Sequence, residues 1–252
     1  MRKYLYLDLE TTGTEKLIHG VHQIAGLIEL DGKIKNTFDF RCRLFEGQFF
    51  DEHALELGGV SKETIDNYPE PEAVHRKLCN ILKQYVDIYN PEDKFTVVAY
   101  NAGFDIDFLS YWFGKNGDNY LGSLIDRSFP ICILSTVRLL RAWGDKDCKQ
   151  LENSKLSTVC KHFGIPLDPH DAMKDIIASR KVYSVLLKKL TSNFQTRFAP
   201  KDGVNMELIH SIESGFKNKL ETKQGWSRGD AMKKYIEAKE EAFSKIEAVS
   251  DV

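Results

Sequence analysis

Two carboxylates one residue apart stand near the start of the chain, with a spacing typical of a metal-ligand pair. Asp8 and Glu10 flank Leu9, between β-forming residues and the segment Thr11-Thr12-Gly13. This composition predicts a first strand over residues 4–7 with both acids at its carboxyl end. Because ligands bind at that edge in open α/β sheets, we expect the pair to help hold a divalent cation.

Two further acids and a histidine follow at other predicted junctions. Asp105 comes after a compact apolar run at 95–100 and the turn Asn101-Ala102-Gly103, while Asp175 begins the last core helix and His170 precedes it. Two ions about 3.5–4 Å apart would neutralise four such acids and clamp the attacking and leaving oxygens of a phosphoryl displacement. Thiol-free oxygen ligands favour Mg²⁺ or Mn²⁺. His170 is our candidate general base, since its working pKa lies near neutrality.

The predicted elements follow the order of an α/β fold with a mixed sheet. The strands are expected at 4–7, 22–30, 34–44, 95–100 and 131–134, with a hairpin turn at Asp31-Gly32. Helices are expected from Ser61, from Pro71, around Asp105, and over 137–143, 156–163 and 171–190. A polar, glycine-rich segment at 114–125 is predicted to be a mobile loop.

The last core helix is predicted to bury one apolar face. Its inward positions are expected to be Met173, Ile176, Ile177, Tyr183, Leu186, Leu187 and Leu190.

The composition excludes few functions, but it does indicate where in the cell the protein is expected. The net charge is -2 and hydrophobic residues make up 42% of the chain, so charge argues neither for nor against a nucleic-acid partner. Five widely spaced cysteines lack Cys-x-x-Cys or Cys/His ligand spacing, which predicts reduced thiols and a cytoplasmic location. No apolar run approaches the length of a membrane span, so we expect no membrane association.

The composition changes after Ser192. We therefore predict a catalytic domain at 1–192 and a polar, mostly helical extension at 193–252, including a helix over 228–249. A solvated tail helix and a partner-docking helix both fit this extension.

Taken together, the motifs resemble those of the DEDDh exonucleases, the DnaQ-like or RNase T-like superfamily, and within it the exonuclease domain of the DNA polymerase III epsilon subunit. The resemblance spans about residues 1–192. It is carried by Asp8-Leu9-Glu10-Thr11-Thr12-Gly13, then Asn101-Ala102-Gly103-Phe104-Asp105, then His170-Asp171-Ala172-Met173-Lys174-Asp175. A sister subgroup has tyrosine four residues before the last acid, where this chain has Asp171, so the histidine subgroup is implied.

The resemblance implies a ribonuclease H-like, mixed five-stranded sheet flanked by helices. It also implies that Asp8, Glu10, Asp105 and Asp175 bind two metal ions and that His170 activates the attacking water.

Several residues near the motifs are candidates for holding substrate. By the resemblance, the backbone at Thr11 and Thr12 contacts the terminal nucleotide. Phe104 is placed either to stack on a terminal base or to pack in the core, and Asn101 is expected to brace its loop by side-chain hydrogen bonding.

Three functional hypotheses remain open from the sequence. The first is a 3′→5′ exonuclease on single-stranded or frayed DNA, working alone or with a DNA polymerase bound through the extension. The second is the same chemistry on RNA ends, because no motif reads the 2′-hydroxyl. The third is an inactive, polymerase-associated interaction module.

Overall fold

A computed structural model describes residues 2–167 and 171–198, together with their side chains except those of Leu57 and residues 193–198. Within this part the strands are Lys3–Thr11 (β1), Val21–Leu30 (β2), Lys33–Arg41 (β3), Phe95–Ala99 (β4) and Ile125–Cys132 (β5). The helices are Glu52–Gly58 (α1), Lys62–Asp66 (α2), Pro71–Leu82 (α3), Ala102–Lys115 (α4), Ile133–Ala142 (α5), Lys146–Gln150 (α6), Leu156–His162 (α7) and Ala172–Phe198 (α8), with a short 3₁₀ turn at Leu121–Ser123.

The strands form one mixed sheet in the order β3-β2-β1-β4-β5. β1, β2 and β3 are antiparallel neighbours, whereas β4 runs parallel to β1 and β5 parallel to β4. The predicted hairpin turn is confirmed, because Asp31 (φ 47°) and Gly32 (φ 81°) both have positive φ, as a type I′ turn requires. The predicted mixed α/β sheet flanked by helices is therefore confirmed.

Helices cover both faces of this sheet, because alternate residues of a strand point to opposite sides. Leu5, Leu7 and Leu9 of β1 pack in one core with the buried faces of α3 and α4. Tyr6 lies on the other face, in a second core with buried side chains of α5, α7 and α8. Asp8 and Glu10 share the parity of Tyr6, so β1 directs them toward the face that α8 covers.

The sequence prediction misplaces one strand and misses two short helices. β5 begins at Ile125, and Ile133 already opens α5, so the strand predicted at 131–134 ends two residues early. Neither α1 nor α6 was predicted, although Asp51 and Asp145 each cap one by accepting backbone N–H groups.

On α8 the predicted inward face is partly wrong. Ile176 and Leu186 are buried, whereas Ile177 and Leu187 are 45% and 42% exposed. Each exposed residue follows its buried neighbour by one position, which turns it about 100° around the helix.

The first compact unit of the chain is Met1–Leu190. Beyond it the structure describes only the end of α8, so the helix predicted at 228–249 lies outside the described residues and the domain boundary at 192 stays a prediction. No helix of the described residues is both long and apolar enough to cross a membrane.

Candidate active site

Asp105 is fixed beside β1 by the way two parallel strands end. β4 pairs with β1 only at Tyr4–Tyr6 and stops at Ala99, while β1 continues to Thr11. The chain then turns into α4, whose first turn carries Asp105. Its Oδ1 accepts the backbone N–H of Leu9 at 3.2 Å, so this buried carboxylate takes a position next to both Asp8 and Glu10.

Asp175 reaches the same place from α8. Asp171 caps that helix, since its Oδ1 accepts the N–H groups of Met173 and Lys174 at 3.1 and 3.2 Å. Asp175 then falls in the first turn. An ion pair of 2.6 Å between Arg180 Nε and Glu29 Oε2 ties α8 to β2. These contacts direct the first turn of α8 toward the carboxyl end of β1.

The four acids lie close enough to one another to interact electrostatically. Burial raises the pKa of Asp8 well above its usual range, and the charges of Asp105, Glu10 and Asp175 raise it further. Burial, followed by the charge of Asp175, raises the pKa of Glu10 to about 7. Each carboxylate therefore makes its neighbours harder to ionise.

Asp105 is 4% exposed, and burial raises its pKa in spite of the hydrogen bond from Leu9, which acts in the opposite direction. The cluster thus favours either bound protons or bound cations.

The donor set fits a hard divalent cation. Asp8, Glu10, Asp105 and Asp175 offer carboxylate oxygens alone, which are the ligands preferred by Mg²⁺ and Mn²⁺. Their mutual repulsion would be relieved by positive charge placed among them. His170, the predicted base, lies outside the described residues.

Of the two threonines predicted to contact substrate, Thr12 makes its hydrogen bonds within the protein. It is 0% exposed, its hydroxyl donates to Phe49 O and accepts from Gly20 N, and its backbone bonds to Gly20 and Asp51. Thr11 is half-buried, and its hydroxyl donates to the carbonyl of Gly13 at 2.7 Å. Thr12 therefore shapes the loop after β1, which leaves Thr11 as the better placed of the two for a substrate contact.

The other two predicted substrate residues border the first turn of α4. Phe104 is half-buried, with its ring centroid 4.6 Å from that of Phe108. Asn101 is exposed and its side chain makes no capping hydrogen bond to α4. Its amide is therefore not used as a helix cap, and the predicted bracing of the loop by Asn101 stays a prediction.

Gly13 allows a close approach within the first motif. Its φ is +155°, and a Cβ at this position would lie 2.4 Å from Cδ2 of His19. A side chain here would displace the His19 ring, so the motif needs glycine for steric as well as conformational reasons.

Sequence reasoning missed Arg41, whose charge lowers the pKa of Glu10. The pairing explains why: Glu10 is opposite Gln23 on β2, and Gln23 is opposite Arg41 on β3. Only the register of β1 on β2 together with that of β2 on β3 could have placed this cation in the row of Glu10.

A family model described as an exonuclease, of the RNase T type, matches residues 5–183. The chain therefore belongs to this exonuclease family, within the DEDDh or DnaQ-like superfamily that the motifs resemble.

Among curated proteins, the DNA polymerase III PolC-type of Bacillus cereus is 25% identical over 202 residues, which cover 80% of this chain and 12% of that protein. The chain thus spans a small fraction of the length of this relative.

Solved structures show the same fold at low identity. E. coli Exonuclease I in complex with a dT13 oligonucleotide gives a TM-score of 0.61 at 18% identity, over 79% of this chain and 42% of that one. A 3′-exonuclease that recognises a histone mRNA stem-loop gives 0.55 at 15% identity, over 74% of this chain and 82% of that one.

Proposed function

We propose that this chain is a 3′→5′ exonuclease that hydrolyses the terminal phosphodiester of single-stranded or frayed nucleic acid and releases nucleoside 5′-monophosphates. The observation that carries the proposal is the meeting of four carboxylates at the carboxyl end of β1, where burial and neighbouring charges raise the pKa values of Asp8, Glu10 and Asp105. Membership of the exonuclease family supports it.

Asp8, Glu10, Asp105 and Asp175 would hold two divalent cations, Mg²⁺ or Mn²⁺. When bound, such ions supply the positive charge that stabilises the attacking and leaving oxygens of a phosphodiester hydrolysis. The protein supplies the orientation: Leu9 N–H fixes Asp105, and the Asp171 cap fixes the helix that carries Asp175. Members of this family use divalent metal ions.

His170 would accept the proton of the attacking water. It directly precedes Asp171, the cap of α8, so it belongs to the same segment as the last acid. A histidine is suited to this task because it can be neutral, and hence basic, near pH 7.

We favour DNA over RNA as substrate, with RNA ends as the alternative. The PolC-type relative is a DNA polymerase and Exonuclease I was solved with a DNA oligonucleotide, but a histone mRNA 3′-exonuclease has the same fold. Exposed cations on α5 to α7 would border the strand: Arg138, Arg141, Lys146, Lys149, Lys155 and Lys161. Contacts to phosphates by such cations would bind either polymer.

A DNA polymerase is the protein partner that we propose, acting through residues 193–252 in the cytoplasm. The support is the match to PolC-type polymerases, of which this chain spans 12%.

The test uses matched DNA and RNA oligonucleotides, labelled at the 5′ or the 3′ end, with Mg²⁺, with Mn²⁺ or with a chelator. A 3′→5′ exonuclease converts the 5′-labelled strand into a ladder and releases the 3′ label first as a mononucleotide. We expect the ladder to require metal and to vanish in Asp8→Ala and His170→Ala.

Internal cuts, or a ladder from the 3′-labelled strand, would overturn the proposed polarity. Inactivity of the wild-type chain on every substrate with metal present would favour the inactive interaction module instead.

A further inference from the structure

A second group of metal-ligand side chains lies on the opposite face of the sheet. His75 and Cys79 of α3 meet Asp118, which follows α4, and one ligand atom from each residue lies within 4.8 Å of the other two. His75 Nε2 is 3.4 Å from Cys79 Sγ and 3.1 Å from Asp118 Oδ2. Since α3 packs with Leu5, Leu7 and Leu9, this group is separate from Asp8 and Glu10.

The local structure holds all three side chains in place. His75 and Cys79 are four residues apart, so they share one face of α3. The His75 ring packs against Phe113 and Trp112, with ring centroids 4.7 and 5.7 Å away. Cys79 is 6% exposed.

Two hydrogen bonds hold Asp118 in position. Its N–H donates to Phe113 O at 3.0 Å, and its Oδ1 accepts the N–H of Tyr120 at 2.7 Å. The second oxygen, Oδ2, is thereby turned toward His75.

His75 Nε2 can form a hydrogen bond with only one of its two polar neighbours at a time. A neutral imidazole nitrogen either carries a proton or presents a lone pair. With a proton, Nε2 can donate to Asp118; with a lone pair, it can accept the Cys79 thiol but then faces a carboxylate oxygen. A cation bound to all three atoms would instead accept a lone pair from each of them at once.

The donor set and the spacing match a zinc-type ion. Neutral imidazole, thiolate and carboxylate carry two negative charges together, which a divalent cation balances, and sulfur and nitrogen ligands select Zn²⁺ over Mg²⁺. Tetrahedral zinc would place its N and O ligands about 3.3 Å apart and its N and S ligands about 3.6 Å apart. The observed 3.1 and 3.4 Å need only small adjustments.

We propose that His75 Nε2, Cys79 Sγ and Asp118 Oδ2 bind one Zn²⁺-type ion that pins the segment after α4 to α3. Binding releases the thiol proton to solvent. The side chains of His75 and Asp118 are 13% and 23% exposed, so water can complete the fourth position. The proposal is independent of the exonuclease activity.

Cobalt provides the direct test, because a thiolate ligand gives Co²⁺ a near-ultraviolet charge-transfer band that carboxylates do not. The full chain is titrated with Co²⁺ in saturating Mg²⁺, which occupies the carboxylate cluster. We expect one equivalent to produce the band and Zn²⁺ to abolish it. Zn²⁺ at about a hundredfold excess over its dissociation constant should raise the melting temperature by about 5–10 °C.

Variants assign the ligands. Cys79→Ser should lose the band, and Asp118→Asn, at a partly exposed position, should weaken Co²⁺ binding by about tenfold or more. Cys132→Ser, at a half-buried cysteine outside the group, should behave as wild type. No band in the wild-type chain, a band that persists in Cys79→Ser, or unchanged affinity in Asp118→Asn would overturn the proposal.

Discussion

The Asp105 carboxylate accepts a backbone hydrogen bond that a neighbouring strand would otherwise accept. β4 ends before it reaches the level of Leu9, so the Leu9 N–H donates to Asp105 instead. The same oxygen-rich group then meets Asp8, Glu10 and Asp175. Asp105 thus both satisfies a backbone group of β1 and brings a charge to the site. Burying like charges together lowers the free energy of unfolding of the chain.

That cost leads to a prediction for Glu10→Gln. The pKa of Glu10 rises from 4.5 to about 7 on folding, so between these values the folded chain holds a proton that the unfolded chain releases. Stability is therefore lost as pH rises from about 4.5 to about 7. In chelator at pH 8 we expect the variant to be about 1–3 kcal/mol more stable than wild type, with a smaller gain at pH 5.

Urea unfolding at both pH values measures this difference, and turnover should be lost in the same variant. Glu46→Gln, at an exposed position after β3, is the matched control and should change neither. A variant less stable than wild type at pH 8, or equally stabilised at both pH values, would contradict the account.

At the scale of elements, the docking of α8 decides whether the site is complete. This helix brings Asp175 to β1, and its buried residues Ala172, Ile176, Val182 and Leu186 pack on the sheet face that carries Tyr6. The Arg180–Glu29 ion pair fixes the helix further, since Glu29 is 6% exposed on β2, a strand whose residues are all buried except Leu30.

We expect Arg180→Ala to destabilise the chain by about 2–4 kcal/mol, because it leaves a buried carboxylate without its cation. Urea unfolding measures the loss, and turnover should fall as α8 loosens. Lys181→Ala, at the exposed neighbouring position, should have little effect. Combining Arg180→Ala with Glu29→Gln should recover part of the loss; strict additivity of the two changes would contradict the proposed pairing.

For the whole molecule, local signals predicted the acids and the sheet, but not what distant segments bring to the site. The acids follow strands or begin helices, and such junctions leave marks in the sequence. Arg41 reaches Glu10 only through the register of three strands. Asp118 reaches His75 only through the packing of α4 against α3. The spacing of four residues between His75 and Cys79 was visible in the sequence, so the judgement that the cysteines lack histidine partners at ligand spacing was wrong.

The described core predicts that the extension is not needed for folding or for basic activity. A shortened chain of residues 1–198, which keeps α8 whole, should melt at the same temperature as the full chain and degrade short oligonucleotides at a similar rate. Thermal unfolding and turnover of a labelled oligonucleotide check both points. Loss of turnover in a stably folded short chain would show that residues 199–252 contribute to the active site.

The central claim is that the four carboxylates perform catalysis, and one paired substitution tests it most directly. Asp105→Asn keeps an oxygen that can accept from Leu9 N–H while removing the charge. Asp107→Asn makes the same change two residues along α4, at an exposed position paired with Lys16. With Mg²⁺ and a 5′-labelled oligonucleotide, we predict that Asp105→Asn loses about a hundredfold or more of its turnover and that Asp107→Asn retains it. Equal turnover in the two variants would contradict the account.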